Sequence, residues 1–193
     1  MFGTVGHFLL WSVGLAGAET QTSPAEQEAL ARHAAGRRRC VEIGVWHGVN
    51  TRRIRTAMDP AGTLTGVDPF PPGRLGFSIP RIIALSESMR SSNGTLRLVR
   101  KTSHEAAIRW SAPLDFVFID GDHTYDGLRT DWNAWRPHVV IGGIVCLHDS
   151  HPTPARPIQD AGSVRFTDEV ILPDPRYQVV EIVETLTVLR RRE

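Results

Sequence analysis

"RCVEIGVWHGVNTRRIRTAMDPAGTLTGVD", residues 39–68, decides the fold. It opens with an apolar run ending in glycine, which suits a strand buried on both faces. "NTRRIRTAMDP" follows with helical spacing, and "GTLTGVD" is a second strand that ends at Asp68. Strand, helix and strand in that order form the unit from which doubly wound sheets are built. Upstream, "TSPAEQEALARHAAG" reads as a helix start. Ser23 suits the N-cap, Pro24 the first helical position and Glu26 a capping box, with Gly36 as the stop.

The alternation continues downstream. Residues 81–90 suit a helix, "GTLRLVR" a strand, and "SHEAAIRW" a short helix capped by Ser103. "LDFVFID" is the most apolar strand, "YDGLRTDWNAWRPHV" a helix, "GGIVCLHD" a strand, and "AGSVRFTDEVI" one more helix. The tail, "YQVVEIVETLTVLRRR", has strand composition in two halves and closes the sheet as a hairpin. The expected fold is α/β: a doubly wound, Rossmann-like, mostly parallel sheet with an antiparallel C-terminal hairpin. Residues 1–193 read as one domain, with an N-terminal helical extension at 1–36.

With 41% apolar and 22% charged residues, the composition is that of an ordinary soluble globule. A net charge of +1 makes no electrostatic case for nucleic acid or an anionic membrane as partner. Cys40 and Cys146 fall inside strands without metal-ligand spacing, so they read as small buried hydrophobes in a reducing compartment, the cytoplasm. "HFLLWSVGLAGAET" has the apolar character of a leader segment. No Lys or Arg precedes it, however, and it is too short to span a bilayer. A packing or dimer-forming helix is expected there, and a homodimer as the assembly.

Ligands of doubly wound sheets bind beyond the carboxyl ends of the strands. Those ends carry Glu42 to Gly48, Asp68, Thr102–Ser103, Asp120 to His123, and His148–Asp149. Gly44 and Gly48 let backbone approach a ligand closely at an electropositive helix start. Asp68 ends the next strand, where a carboxylate accepts hydrogen bonds from both ribose hydroxyls, which points to a nucleoside. A dinucleotide fingerprint needs G-x-G-x-x-G. This turn is G-x-x-x-G with Trp46 and His47 inside it, and Glu42 suits a cationic ligand better than a phosphate.

Acid-x-Gly-x-x-x-Gly, the acid at the next strand end, "FIDGDHTYDG" and "GGIVCLHDS" together resemble class I S-adenosylmethionine-dependent methyltransferases. The small bacterial O-methyltransferases of sugars and natural products, several of them metal-dependent, are the most similar group. Residues 41–77 resemble mycobacterial 1-O-methyltransferases of methylmannose polysaccharide synthesis. The resemblance implies S-adenosyl-L-methionine as cofactor. As acceptor it implies a hydroxyl of a sugar, including the 1-OH of a methylated mannoside, or of a polyol-like metabolite. It sets Glu42, Gly44 and Gly48 against the methionine part, Asp68 at the ribose, Ser103 near the adenine and Asp120 beside the sulfonium.

It also implies a divalent cation, Mg²⁺ or Mn²⁺, held by Asp120 and Asp149. Related sites have two adjacent oxygen ligands after the fifth strand, and here the pair is His148–Asp149. Either His148 ligates a softer ion such as Mn²⁺, or Ser150 or water fills the position. Methylating an alcohol requires the hydroxyl to lose its proton, and His123 supplies a base three positions after Asp120. Asp122 orients His123, or is itself the base if His123 faces away. In "PFPPGRLGF", Arg74 and Phe77 make a wall or lid over the acceptor. Trp46 and Trp110 are candidates for its flat faces, while Trp132 and Trp135 read as helix packing. A nicotinamide-dependent oxidoreductase and a noncatalytic sugar- or nucleoside-binding module stay open as alternatives on the same fold.

Overall fold

The computed structural model describes residues 4–73 and 76–193; Arg74, read above as part of a lid, lies outside the described residues. The strands are β1 (Arg39–Ile43), β2 (Thr63–Asp68), β3 (Thr95–Arg100), β4 (Leu114–Ile119), β5 (Val139–Leu147), β6 (Tyr177–Val183) and β7 (Leu186–Arg191). They form one sheet in the order β3-β2-β1-β4-β5-β7-β6. β1 to β5 run parallel, whereas β7 is antiparallel to both β5 and β6. Strand order reverses between β1 and β4, and a ligand crevice opens beyond the carboxyl ends at such a point.

The central strands are buried on both faces because alternate residues feed two different cores. Val41, Ile43, Val117 and Ile119 face one side, against Leu128, Trp132 and Trp135 of helix α6 (Tyr125–Trp135). Cys40, Phe116 and Phe118 face the other, against Leu30 of α2 (Pro24–Ala34) and Ile54 of α3 (Val49–Ala57). A period of two with both phases apolar explains the near-continuous hydrophobic run of β4. Both cysteines are free and buried, and burial pushes the Cys40 thiol up to about 12.

α2 begins as its sequence dictates. Ser23 Oγ accepts from the Glu26 amide at 3.2 Å, and Glu26 Oε2 accepts from the Ser23 amide at 2.8 Å. α5 (Ser103–Ala107) starts one residue earlier than its sequence suggested, with Thr102 as the cap rather than Ser103. The reason is Glu105, which stands three residues after Thr102 and closes a reciprocal capping box with it. Ser103 therefore sits inside the helix with its hydroxyl free for another partner. The expected helix over "AGSVRFTDEVI" is a single turn, α7 (Gly162–Phe166), continued by a π-helical turn at Thr167–Ile171.

The N-terminal stretch forms α1 (Thr4–Ser12), a helix with no buried residue among those described, on which Val5 and Leu9 are more than half exposed. α4 (Ile79–Ser88) lies beside it. No helix among the described residues is long and apolar enough to cross a membrane.

Candidate active site

A cleft of about 820 Å³ follows the carboxyl ends of β1, β2 and β4. Its lining includes Glu19–Gln21, Gly44, Trp46, Asp68, Ser103 and Asp131. The turn after β1 is built for close approach. Gly44 has φ +84°, and a Cβ there would stand 2.0 Å from the Asp120 carbonyl oxygen. No other residue fits that position. Gly48, at φ +77°, meets α4 in the same way, its missing Cβ lying 2.9 Å from Ala84 O.

Asp68 fastens this turn. Its Oδ2 accepts from the Val45 and Trp46 amides at 3.0 Å each, and Oδ1 from the Phe70 amide at 2.7 Å. An ionised carboxylate has roughly four acceptor positions. Three are filled by the described residues, and Asp68 lines the cleft, where two ribose hydroxyls were expected to bind it. Glu42, just behind the turn, is fully buried, and Thr51 Oγ1 donates to its Oε2 at 2.6 Å. Its Oε1 has no partner among the described residues. Burial drives the Glu42 pKa well above the usual carboxylate range, so the neutral acid is favoured.

At the ends of β4 and β5 charge concentrates. His148 Nδ1 donates to Asp120 Oδ1 at 2.8 Å, and His148 Nε2 lies 3.6 Å from Glu26 Oε2 and 3.8 Å from Asp149 Oδ1. Burial opposes the His148 charge, but Asp120 and Glu26 outweigh it and push the pKa up to about 10. Burial likewise opposes ionisation of Asp120, yet His123 and His148 hold it down at about 2. The His123 ring lies between two carboxylates: Nε2 is 3.3 Å from Asp120 Oδ1 and Nδ1 is 3.1 Å from Asp149 Oδ2. Asp149, at φ +49°, also forms an ion pair with Arg156.

Of the residues singled out from sequence, the fold thus brings Asp120, His123, His148 and Asp149 into one cluster. Asp122 stands apart. It accepts from the Thr124 amide at 2.9 Å and packs over Gly127 at the start of α6. Asp149 and Asp120, not Asp122, face the His123 ring nitrogens. Ser103 also lines the cleft, its Oγ accepting from Trp135 Nε1 at 2.8 Å. Trp132 and Trp135 are core residues, whereas Trp46 lines the cleft at 37% exposure. Phe77 is exposed but is not among the cleft-lining residues.

Two members of the charged cluster went unrecognised in the sequence. Glu26 reads as a helix cap and is one, but its other oxygen accepts from the Thr185 amide and hydroxyl while its carboxylate faces His148. Arg156 lies in the proline-rich loop after β5, where no local pattern marks it.

The donor chemistry tests the expected cation. Asp120, His123 and His148 each offer one ligand atom, and these three atoms lie within 4.8 Å of one another. Two imidazoles and one carboxylate suit an ion of the Mn²⁺ type and do not suit Mg²⁺, which prefers oxygen throughout. Glu26 stands behind His148 as a carboxylate does behind many ligating imidazoles. Asp149, expected as the second carboxylate ligand, lies outside this trio: its Oδ2 faces His123 and Arg156, and its Oδ1 has no hydrogen-bond partner among the described residues.

A family model described as "Methyltransferase domain" matches residues 41–150. Tricin synthase 1 of Oryza sativa subsp. japonica is 24% identical in an alignment 174 positions long that covers 81% of this chain and 68% of that protein. Among solved structures, an O-methyltransferase from Bacillus cereus in complex with SAH aligns at TM-score 0.66 and 17% identity, covering 99% of this chain and 92% of that one. TomG from Streptomyces achromogenes, an O-methyltransferase involved in tomaymycin synthesis solved with SAM, aligns at TM-score 0.62 and 16% identity. That alignment covers 100% of this chain and 91% of TomG.

Proposed function

Because the chain belongs to the methyltransferase-domain family, we propose that it is an S-adenosylmethionine-dependent O-methyltransferase. Its acceptor is a hydroxyl of a sugar or polyol-like metabolite, the 1-OH of a methylated mannoside among the candidates. The observation that carries this reading is that Asp120 and His123, with His148 buried behind Asp120, line the same cleft as the glycine turn and Asp68. Solved structures described as O-methyltransferases, in complex with SAH and with SAM, support it. The nicotinamide alternative loses its ground, since a dinucleotide fingerprint is lacking and the family is a different one.

The cofactor supplies a methyl group made electrophilic by its sulfonium. The turn at Gly44–Gly48 offers bare backbone to its amino-acid end, and Asp68 accepts from a ribose hydroxyl. Asp120, held ionised by two imidazoles, puts a negative charge beside the sulfonium. His123 is the base: it takes the acceptor's proton on one ring nitrogen while a carboxylate steadies the other. His148 and Glu26 fix the position of Asp120 from behind. A Mn²⁺-class ion on Asp120, His123 and His148 would lower the pKa of the acceptor hydroxyl, and His123 is then a ligand, with the base role passing to solvent or the acceptor's neighbours. The apolar face of α1 is where a second copy would pack, and a cytoplasmic setting fits the free cysteines.

The test is transfer of isotopically labelled methyl from S-adenosylmethionine to a panel of mannosides, other sugars and polyols, with Mn²⁺, Mg²⁺ or a chelator present. Label in a sugar ether supports the reading, and the metal arms decide between the two roles of His123. Cofactor binding with no label on any acceptor would favour the noncatalytic module.

A further inference from the structure

His47 stands between the two glycines of the turn after β1 and is 3% exposed, yet no role falls to it in the chemistry above. Its ring lies against two others. Trp46, in the cleft wall, stacks on it at 4.8 Å between centroids, and His7 of α1 stacks on it at 5.3 Å with the planes 8° apart. Glu19, which also lines the cleft, faces both imidazoles. Its Oε1 lies 3.3 Å from His7 Nδ1, and its Oε2 lies 3.8 Å from His47 Nδ1. The Glu19 amide donates to His47 Nδ1 at 3.1 Å, so that nitrogen carries a lone pair and not a proton. Burial, against the pull of Glu19, lowers the His47 pKa, which favours the neutral ring. The His7 side chain is 14% exposed, and its Nε2 is buried with no hydrogen-bond partner among the described residues.

We propose that His7, Glu19 and His47 hold a divalent ion of the zinc class, which clips α1 to the rim of the cleft. Each residue offers one donor atom, and the three atoms lie within 4.8 Å of one another. Zinc bonds imidazole nitrogen and carboxylate oxygen at about 2.0–2.2 Å, which in a tetrahedron sets neighbouring donors about 3.3 Å apart. The observed 3.3 and 3.8 Å come within a small side-chain adjustment of that. Two imidazoles and a carboxylate are a zinc donor set, with water as the fourth ligand. Binding exchanges the Glu19 amide for the ion at the His47 lone pair. The clip has a mechanical reason as well. α1 buries none of its nine residues, and so short a helix is marginal unless something docks it. This cluster shares no residue with Asp120, His123 and His148, so the proposal does not depend on the methyl-transfer reading.

Calorimetric titration of Zn²⁺ into the untagged full chain tests this. It is done on His123→Ala, which disables the other cluster, and on that variant with His7→Ala or Glu19→Gln added. One ion per chain is expected to bind His123→Ala, and adding His7→Ala should weaken it by about a hundredfold or more. Co²⁺ in place of Zn²⁺ should give the intense visible bands of a four-coordinate site, and His7→Ala should remove them. Hydrogen exchange at the α1 amides separates a clip from an ion that merely sits at the surface: Zn²⁺ should slow it in His123→Ala and have no effect once His7→Ala is added. Absence of Zn²⁺ binding by His123→Ala overturns the proposal. So does binding that His7→Ala and Glu19→Gln leave at full strength, or α1 exchange that the bound ion does not change.

Discussion

The two halves of the cleft are built in opposite ways. Around Gly44 and Asp68 the contacts are backbone amide to carboxylate, all within one strand–helix–strand unit. At the ends of β4 and β5, three carboxylates, two imidazoles and a guanidinium meet from α2, β4, β5 and the loops that follow. The first half is a rigid mould whose shape fixes a ligand. The second stores charge that responds to a ligand, and chemistry belongs there.

Gly44→Ala should break the mould outright. With φ +84° and 2.0 Å between the new Cβ and Asp120 O, it is expected to cost about 3 kcal/mol or more and to abolish cofactor binding. Urea unfolding and calorimetry would read both effects. His123→Ala strikes the charged half alone. Turnover should fall by roughly 10²- to 10⁴-fold while S-adenosylhomocysteine affinity stays near native, and unchanged turnover would remove His123 from the mechanism. Glu26→Ala leaves His148 facing fewer carboxylates and opens the α2 cap. A loss of about 3 kcal/mol in unfolding free energy is expected, as for other buried pairs broken on one side.

Asp131→Asn gives the smallest effect and the one with a defined pH dependence. The folded-state pKa is raised from 3.8 to about 6, so the stability linked to this proton is present below about 4 and is lost as pH rises through 6. Asp122 supplies the facing charge, and His104 and Asp126 line the same cleft. Asparagine does not titrate. The variant should gain up to about 3 kcal/mol over the native chain at pH 8, with the difference vanishing near pH 4. A constant offset across that range would mean that the carboxyl is not held in its neutral form.

The same contrast explains what could be read from the chain. Strand–helix alternation, the capping box of α2, the turn glycines and Asp68 are local signals, each carried by a few adjacent residues. Asp120, His123, His148 and Asp149 were legible because parallel strands bring their carboxyl ends to one edge whatever the loops do. Glu26 was half legible: its cap is local, but its contact with Thr185 spans 159 positions. Arg156 had no signal, since a loop arginine acquires meaning only from the fold that places it on Asp149. Asp122 lines the cleft but does not orient His123, for a related reason. Proximity in sequence to His123 says nothing of direction, and the turn sends its carboxylate to the helix start instead. Asp131 was hidden as one more polar position on an amphipathic helix.

The most direct measurement is calorimetric titration of S-adenosylmethionine and S-adenosylhomocysteine into the native chain, repeated with Gly44→Ala and His123→Ala. The account predicts binding of both forms to the native chain and to His123→Ala, and none to Gly44→Ala. A native chain that binds neither form would contradict the central claim that this cleft is a methyltransferase site.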